Sequence, residues 1–352
     1  MKEYIKIKTQ KFVFFNVKIK PILIFTLMAA LYGQWALWSN PSLPVGESDK
    51  GFGADKGLFY YGVQSNFTLI NWWHDPLEEE PFKHSGSLNT FLLRPNIIYG
   101  ISNKFNLMIS STFGIRKMNW KQPNSSIHHR SELSSSNFHN AKGSILGDSK
   151  IILRYLAKNT GLGNGLRVYT GAGITIPSSN QLTSDPFFLN GDKVKEHRHF
   201  SLSNGTFNYN IEAQVYFKRS INPTFFGGFV LYEKPFSESK YGYLPPANLN
   251  IALSMLYKRF DNIDSSLGYG LNFLHTGQGY WNNIPAPNTK ALSVSPSISY
   301  LFGTRIGAIA LNIQKPIFIN GSFASNEGDM NQKSNAWQLT ISLRGIPLNN
   351  WF

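Results

Sequence analysis

The sequence contains no cysteine among its 352 residues. This absence excludes disulfide bonds, zinc–thiolate centres, thiol redox chemistry and a lipid anchor on Cys. Charged residues are also scarce, at 15% of the chain. No segment approaches the roughly eighteen uninterrupted apolar residues that a membrane helix requires. If this chain crosses lipid, it must cross with strands.

The N-terminal segment predicts a secretory signal peptide over residues 1–36. Six lysines precede the apolar run 21–32, which is about twelve residues long and too short to span a bilayer as a helix. Cleavage is expected after Gly33 or Ala36, and the alternative is a retained N-terminal anchor. Residues 37–56 are predicted to form a periplasmic segment, and residues 57–352 a single domain.

A stripe of period two recurs along this domain and is clearest over residues 207–218. There the odd-numbered positions are apolar, from Phe207 to Phe217, and the even-numbered positions are almost all polar, from Asn208 to Lys218. Successive side chains of a strand point to opposite faces, so the strand has one apolar and one polar face. A soluble sandwich also alternates, but its outward positions usually carry Lys and Glu. The pattern favours a wall between lipid and water.

Counting the stripes gives about twelve strands, each long enough to cross a membrane at a tilt. They are predicted near 57–71, 88–101, 104–118, 147–157, 165–176, 206–219, 223–234, 248–260, 263–275, 290–302, 305–317 and 335–346. Short and long connections alternate strictly between them, as in bacterial outer-membrane barrels. The predicted fold is therefore all-β: a transmembrane antiparallel up-and-down β-barrel of about twelve strands with both termini in the periplasm.

The alternation also predicts which charged side chains face the lumen. They are Arg94, Arg116, Lys150, Arg154, Arg167, Glu212, Lys218 and Arg344. Basic groups predominate in this set, and a ring of Arg and Lys favours anions. The competing interpretation is structural, because buried charges need partners. Glu212 with Arg94 or Arg154 is the first pair expected, and about twelve strands predict a narrow or partly plugged lumen.

Two further chemistries are weighed and not favoured. The loop histidines, including His128, His129, His197 and His199, could hold a transition metal, but no Cys and few carboxylates accompany them. His275 ends a strand, as the His of an outer-membrane hydrolase would, but Gly277 stands where such a lipase family has Ser. The sequence predicts no enzyme activity, no cofactor and no metal site.

Two neighbouring segments carry a family resemblance. Residues 147–155 read GDSKIILRY and residues 171–178 read GAGITIPS. This pair resembles outer-membrane transporters associated with the meta-pathway of phenol degradation, distant relatives of the FadL-type channels. The resemblance implies passive passage of small hydrophobic or aromatic compounds, whereas a basic lumen alone favours organic acids.

The predicted function is therefore an outer-membrane channel for small solutes in a Gram-negative bacterium. The expected partners are outer-membrane lipid and lipopolysaccharide, the barrel-assembly machinery and a small-molecule solute. Although the formal net charge is +14, the basic residues lack the aromatic motifs of an RNA-binding sheet, so no nucleic-acid partner is predicted. The alternatives are a non-conducting barrel that binds a surface partner or serves structure, and an outer-membrane lipid hydrolase.

Overall fold

The computed structural model describes residues 47–75, 84–122, 137–138, 145–160, 164–187, 189, 201–258, 265–321, 323–324 and 332–345. The predicted signal peptide and the histidines at 128, 129, 139, 197 and 199 lie outside these ranges. Within the described ranges, no helix has the length and hydropathy needed to cross a membrane.

The described residues form seventeen strands. They are β1 (Phe59–His74), β2 (His84–Gly100), β3 (Phe105–Gln122), β4 (Asn137–Phe138), β5 (Leu146–Asn159), β6 (Gly165–Ile176), β7 (Asn208–Lys218), β8 (Phe225–Pro235), β9 (Tyr243–Leu244), β10 (Asn248–Lys258), β11 (Ser265–Thr276), β12 (Tyr280–Trp281), β13 (Ile284–Pro285), β14 (Ala291–Thr304), β15 (Gly307–Gln314), β16 (Ile317–Gly321) and β17 (Gln332–Gly345).

The long strands close into one antiparallel barrel. Each pairs with the next long strand along the chain, and β1 pairs with β17 to complete the ring. Strands β15 and β16 share one position, because β14 pairs with both of them. The barrel therefore has twelve positions, which confirms the predicted all-β antiparallel barrel of about twelve strands. The periplasmic placement of both termini stays a prediction. Of the short strands, β4 pairs with β3, while β9, β12 and β13 form a small separate sheet.

The strands differ from the predicted bounds in two main ways: β1, β2 and β3 are longer, and one strand is interrupted. Strands β1 and β2 continue to His74 and from His84, with Trp72 opposite Gly86, although a loop is predicted from residue 72. Trp72 extends the strand because it packs with Ile70, Leu88 and Ala336 in a buried apolar cluster. The other departure is the interruption between β15 and β16 at Pro316, which has no N–H to donate to a ladder.

The two faces of the wall differ as the alternation predicts. On β7, Ile211 and Val215 are 55% and 48% exposed, whereas Asn210 is 1% exposed. On β14, Ile298 is 58% exposed and Ser299 is 2% exposed. An apolar outer face and a polar inner face suit a barrel surrounded by lipid, where every backbone polar group of the wall must be paired within the ring.

The two ends of the barrel are distinguished by their connections. The connections 101–104, 160–164, 219–224, 259–264 and 305–306 are short and define the short-turn end. The connections 75–83, 123–145, 177–207, 236–247, 277–290 and 322–331 are longer and define the long-loop end. The predicted alternation of short and long connections holds for the whole barrel.

Candidate functional site

Residues 47–56, which precede β1, enter the barrel from the short-turn end and fill part of its lumen; we call them the plug. Ser48 is 1% exposed, Lys50 5% and Ala54 4%. The sequence predicts a periplasmic segment over 37–56, but the described part of that segment is largely buried against inward-facing side chains. A period-two pattern identifies strands, and residues 47–56 do not form a strand.

Four charged side chains join the plug to the wall. The Arg154 guanidinium on β5 donates to Glu212 on β7 (Nε to Oε1, 2.7 Å) and to Asp49 of the plug (Nη2 to Oδ2, 2.5 Å). Lys50 donates to Glu212 (Nζ to Oε2, 2.5 Å) and to Asp49 (Nζ to Oδ2, 2.8 Å). Two cations and two carboxylates thus alternate in a ring, the ion cluster, in which each charge contacts two of opposite sign. A buried charge is tolerated only with such partners.

The ion cluster shifts the pKa of the two charged plug residues within it, Asp49 and Lys50. Burial alone would raise the pKa of Asp49, but the charges of Lys50 and Arg154 outweigh burial and hold that pKa below its ordinary value. Burial alone would lower the pKa of Lys50, but Asp49 and Glu212 raise it above its ordinary value. Both plug residues therefore stay ionised at neutral pH.

Backbone groups of the plug are also bonded to the wall. Gly51 donates its N–H to the side chain of Gln214 on β7 at 2.8 Å. Arg344 on β17 donates to the carbonyls of Ser48 and Lys50, at 3.2 and 2.6 Å. Asn106 on β3 both accepts from the N–H of Ala54 and donates to its carbonyl. These bonds satisfy buried groups that no ladder pairs.

The apolar side of the plug packs against the lumen wall. Phe52 and Ala54 join Ile98, Met108 and Ile152 in one buried cluster. The Arg344 guanidinium lies 3.6 Å from the centre of the Phe52 ring, a cation–π contact.

The approach of the plug to β2 is close enough to require glycine. A Cβ on Gly100 would lie 2.0 Å from the carbonyl oxygen of Asp55. Glycine at position 100 therefore leaves room for the plug backbone.

On the long-loop side of the plug lies a cavity of about 290 Å³, the chamber. Its lining is Glu47, Asp49, Lys50, Gln64, Arg94, Asn96, Met108, Ser110, Thr112, Lys150, Ile152, Phe229, Leu231, Glu233, Asn248, Asn250 and Leu274. The lining combines three acidic and three basic side chains with amides and apolar groups. It therefore offers a mixed surface of charged, polar and apolar groups.

The charged groups of the chamber differ in how they are paired. Lys150 forms an ion pair with Glu233, which also accepts from Thr175 at 2.9 Å and Asn208 at 2.7 Å. Arg94, by contrast, has no hydrogen bond or ion pair within the described residues. It is the cation of the chamber that is free to meet a solute.

Glu47 is an acidic residue of the plug that lines the chamber. Burial, and next the charge of Asp49, raise the pKa of Glu47 to about 7. Lys50 and Arg94 act in the opposite direction but more weakly. Glu47 lines the chamber, so the charge of the chamber changes near neutral pH.

The rest of the short-turn half of the lumen is closed by a second, apolar group of side chains. We call it the apolar cluster; its members are Tyr216, Phe225, Leu256, Leu301, Ala308 and Ala310. They come from β7, β8, β10, β14 and β15. Leu256, Leu301 and Ala310 are each 0% exposed, so this part of the lumen is filled.

The sequence-predicted lumen residues fall into three groups. Arg94 and Lys150 line the chamber. Arg154, Glu212, Arg167 and Arg344 hold the plug, with Arg167 donating to the carbonyl of Gly51 at 3.1 Å. Arg116 donates to the carbonyl of Ser201 at 3.0 Å, and Lys218 lies at the short-turn end of β7, opposite Phe225.

The predicted basic lumen is not confirmed. Several of the basic side chains bind the plug, and the plug itself adds Glu47 and Asp49 to the lumen. Between those charges and Glu233, the chamber carries as many acidic as basic groups. The solute-binding role of the predicted residues stays a prediction.

Sequence reasoning missed the plug. The available signal was the run Glu47 to Lys50, whose acidic and basic side chains complement the inward Arg154 and Glu212. A second signal was Gly100, an inward glycine beside the segment that fills its space.

The two disfavoured chemistries find no support in the described residues. No Ser hydroxyl among them is hydrogen-bonded to the imidazole of His275, which is exposed. Within the same residues, no three His, Asp, Glu or Cys side chains are grouped so as to hold a metal ion.

Comparison with known proteins bears on the fold. An outer membrane channel from Pseudomonas putida F1 aligns with 85% of this chain and 99% of its own, with a TM-score of 0.52 and 11% identity. The toluene transporter TodX of P. putida covers 87% of this chain and 93% of its own at 9% identity, but its TM-score of 0.36 is too low to support a shared fold. No model of a known protein family matches the sequence, and no curated protein matches it.

The likeness to the P. putida channel, at 11% identity, shows the fold alone. It agrees with the resemblance to outer-membrane transporters that the sequence carries, and with the apolar outer face of the barrel. The chain folds as a closed twelve-stranded antiparallel β-barrel, the fold of that outer membrane channel.

Proposed function

We propose that this protein is an outer-membrane channel for the passive entry of small solutes with both a polar and an apolar side. The chamber is the observation that carries the proposal. It is a cavity of about 290 Å³ inside a closed barrel, the size and place expected of a site for a small molecule.

The lining of the chamber supports the solute class. Phe229, Leu231 and Leu274 offer an apolar surface, and Arg94 offers a cation without a protein partner. An aromatic acid would meet both, with its ring on the apolar side and its carboxylate toward Arg94. In this proposal the long-loop end faces the outside and the short-turn end the periplasm, as in other bacterial barrels.

The proposal is tested by reconstitution of the mature protein. Liposome swelling in sodium benzoate is expected to exceed that of protein-free liposomes, and planar bilayers are expected to show single-channel conductance. Arg94→Ala should lower the benzoate rate while leaving the rate for the neutral sugar arabinose unchanged. Reconstituted protein that gives neither swelling nor conductance would overturn the proposal.

A second candidate is a non-conducting barrel that serves structure or binds a surface partner. The ion cluster favours it, because Arg154 and Glu212 are paired with plug residues rather than open to a solute. The plug and the apolar cluster together also fill the short-turn half. The same reconstitution separates the two candidates, since a non-conducting barrel gives no flux for any solute.

A further inference from the structure

The closed half of the lumen has two sides of different chemistry. The plug is held by hydrogen bonds and ion pairs to β2, β3, β5, β6, β7 and β17. Within the described residues, no hydrogen bond or ion pair joins the plug to β10, β11, β14, β15 or β16. The lumen beside those strands is closed by the apolar cluster instead.

The polar side is costly to open. Withdrawal of the plug would leave Arg154 and Glu212, both buried, without the Asp49 and Lys50 that complete the ion cluster. Arg154 and Glu212 would still pair with each other, but each would lose a buried partner of opposite charge, which is unfavourable. It would also leave Arg344 and Asn106 without their backbone partners.

The apolar side should cost less free energy to open than the plug side. Its closure consists of packing contacts, and the strands around it carry buried polar atoms with no hydrogen-bond partner in the described structure. The atoms are Asn250 Oδ1, Asn272 Oδ1, Ser265 Oγ, Ser299 Oγ and both polar side-chain atoms of Asn312, with the Tyr216 hydroxyl inside the cluster. The plug-side strands carry fewer such atoms, on Asn66, Asn89, Asn210 and Ser342. A buried polar group without a partner is unfavourable. Entry of water or a polar solute on this side would relieve that cost.

A small cavity extends from the chamber toward this side. It has a volume of about 30 Å³ and shares Glu47 and Phe229 with the chamber lining. Its other walls include Ser254, Gly270 and Ser297, from β10, β11 and β14. The space past the plug therefore follows the strands that the plug does not contact.

We infer that solutes leave the chamber beside the plug, through the apolar cluster, while the plug stays seated. Leu256, Leu301 and Tyr216 are then the residues that set which solutes pass. An apolar constriction of this kind gates passage by dewetting, and its bore limits the size of the solutes that pass. The inference rests on the proposed channel function and specifies its route.

The absence of cysteine allows the two routes to be separated in one protein. A Cβ at Gly62 would lie 3.1 Å from the Cβ of Ser48, near the roughly 3.8 Å of a disulfide. It would also lie 2.7 Å from Asn96 Oδ1, so the Asn96 side chain must rotate aside. Oxidation of Gly62→Cys/Ser48→Cys joins the two thiols with loss of two electrons and two protons to an added oxidant such as copper phenanthroline. The product fixes the plug to β1, and the reduced form of the same protein is its control.

The measurement is arabinose-driven liposome swelling with locked and reduced plug, in two further backgrounds. Leu256→Ala/Leu301→Ala widens the cluster and should raise the rate severalfold in both forms. Leu253→Ala/Ile298→Ala changes the outward faces of the same strands, where the side chains are 51% and 58% exposed, and should leave the rate unchanged. Ala310→Leu narrows the cluster and should lower the rate, so the inference does not depend on a single variant that may fold poorly.

The outcomes are distinct. Equal rates with locked and reduced plug, together with opposite effects of widening and narrowing, support the route through the apolar cluster. Swelling that occurs only with the reduced plug overturns this route and assigns passage to plug withdrawal, while the channel function stands. Absence of swelling in every variant, with the gel shift of a folded barrel present, overturns the channel function itself.

Discussion

At the scale of single residues, the ion cluster determines how the plug is held. Glu212 faces both Arg154 and Lys50 and is 2% exposed. It stands among an excess of predicted basic positions, and the sequence names Arg154 as one of its two expected partners. The residue that completes the arrangement, Lys50, lies 162 positions away along the chain, in a segment with no strand pattern. Sequence spacing alone does not predict a contact between residues so far apart along the chain.

Glu212→Gln is expected to destabilise the folded barrel by about 3–5 kcal/mol, because Arg154 and Lys50 would share one remaining carboxylate in a buried site. Urea unfolding of the refolded protein in lipid vesicles, followed by tryptophan fluorescence, measures the change. Glu238→Gln is the matched control, since Glu238 is exposed and its loss should cost less than about 0.5 kcal/mol. Equal midpoints for the two variants would mean that the ion cluster adds nothing to stability.

Glu47 is expected to make the stability of the seated plug depend on pH. Burial raises its pKa from 4.5 to about 7, so the seated plug binds the proton more tightly than the released plug. The stabilisation is therefore complete below about pH 4.5 and is lost as the pH rises through 7. The groups facing Glu47 are Asp49, Lys50, Arg94 and Glu212.

Glu47→Gln should remove this dependence. Thermal midpoints of both proteins between pH 4 and pH 8 are expected to differ most at the high end, where the wild-type carboxylate is ionised and the amide is not. Subtracting one curve from the other cancels every other titrating group. Parallel curves across that range would show that Glu47 keeps its ordinary proton affinity.

At the scale of elements, the strands were predictable and the plug was not. Each of the twelve barrel positions contains a segment that the alternation predicts, because a wall with lipid on one side and water on the other imposes period two on every strand. The plug obeys no such constraint. Its conformation is dictated by partners on six different strands, so its placement depends on the completed barrel.

Gly100→Ala is expected to unseat the plug, since the added Cβ would lie 2.0 Å from the backbone oxygen of Asp55. Trypsin should then cleave at Lys50, which is only 5% exposed in the seated plug, while the barrel keeps its gel shift on heating. Gly277→Ala is the matched control, because its Cβ would meet nothing closer than 3.4 Å. Cleavage at the same rate in both variants would show that β2 and the plug do not approach so closely.

At the scale of the whole molecule, the barrel divides into a chamber toward the long loops and a closed half toward the short turns. The sequence predicted a narrow or partly plugged lumen from strand number alone, and the plug with the apolar cluster gives that expectation a physical form. The charge balance could not be predicted in the same way. It requires the acidic residues of the plug to be counted with the wall.

The membrane position of the barrel leads to a final prediction. Ile211, in the middle of β7, and Ile221, in the short turn 219–224, are 55% and 64% exposed. Exposure alone does not distinguish them, but depth in lipid does. Arg near the bilayer midplane of a barrel costs about 2–4 kcal/mol and near the interface about 0–1 kcal/mol.

Ile211→Arg should therefore destabilise the folded barrel in lipid vesicles far more than Ile221→Arg does. Both should be tolerated alike in detergent micelles, where no bilayer of fixed thickness surrounds the wall. Equal losses in vesicles would place the lipid boundary elsewhere on the strand.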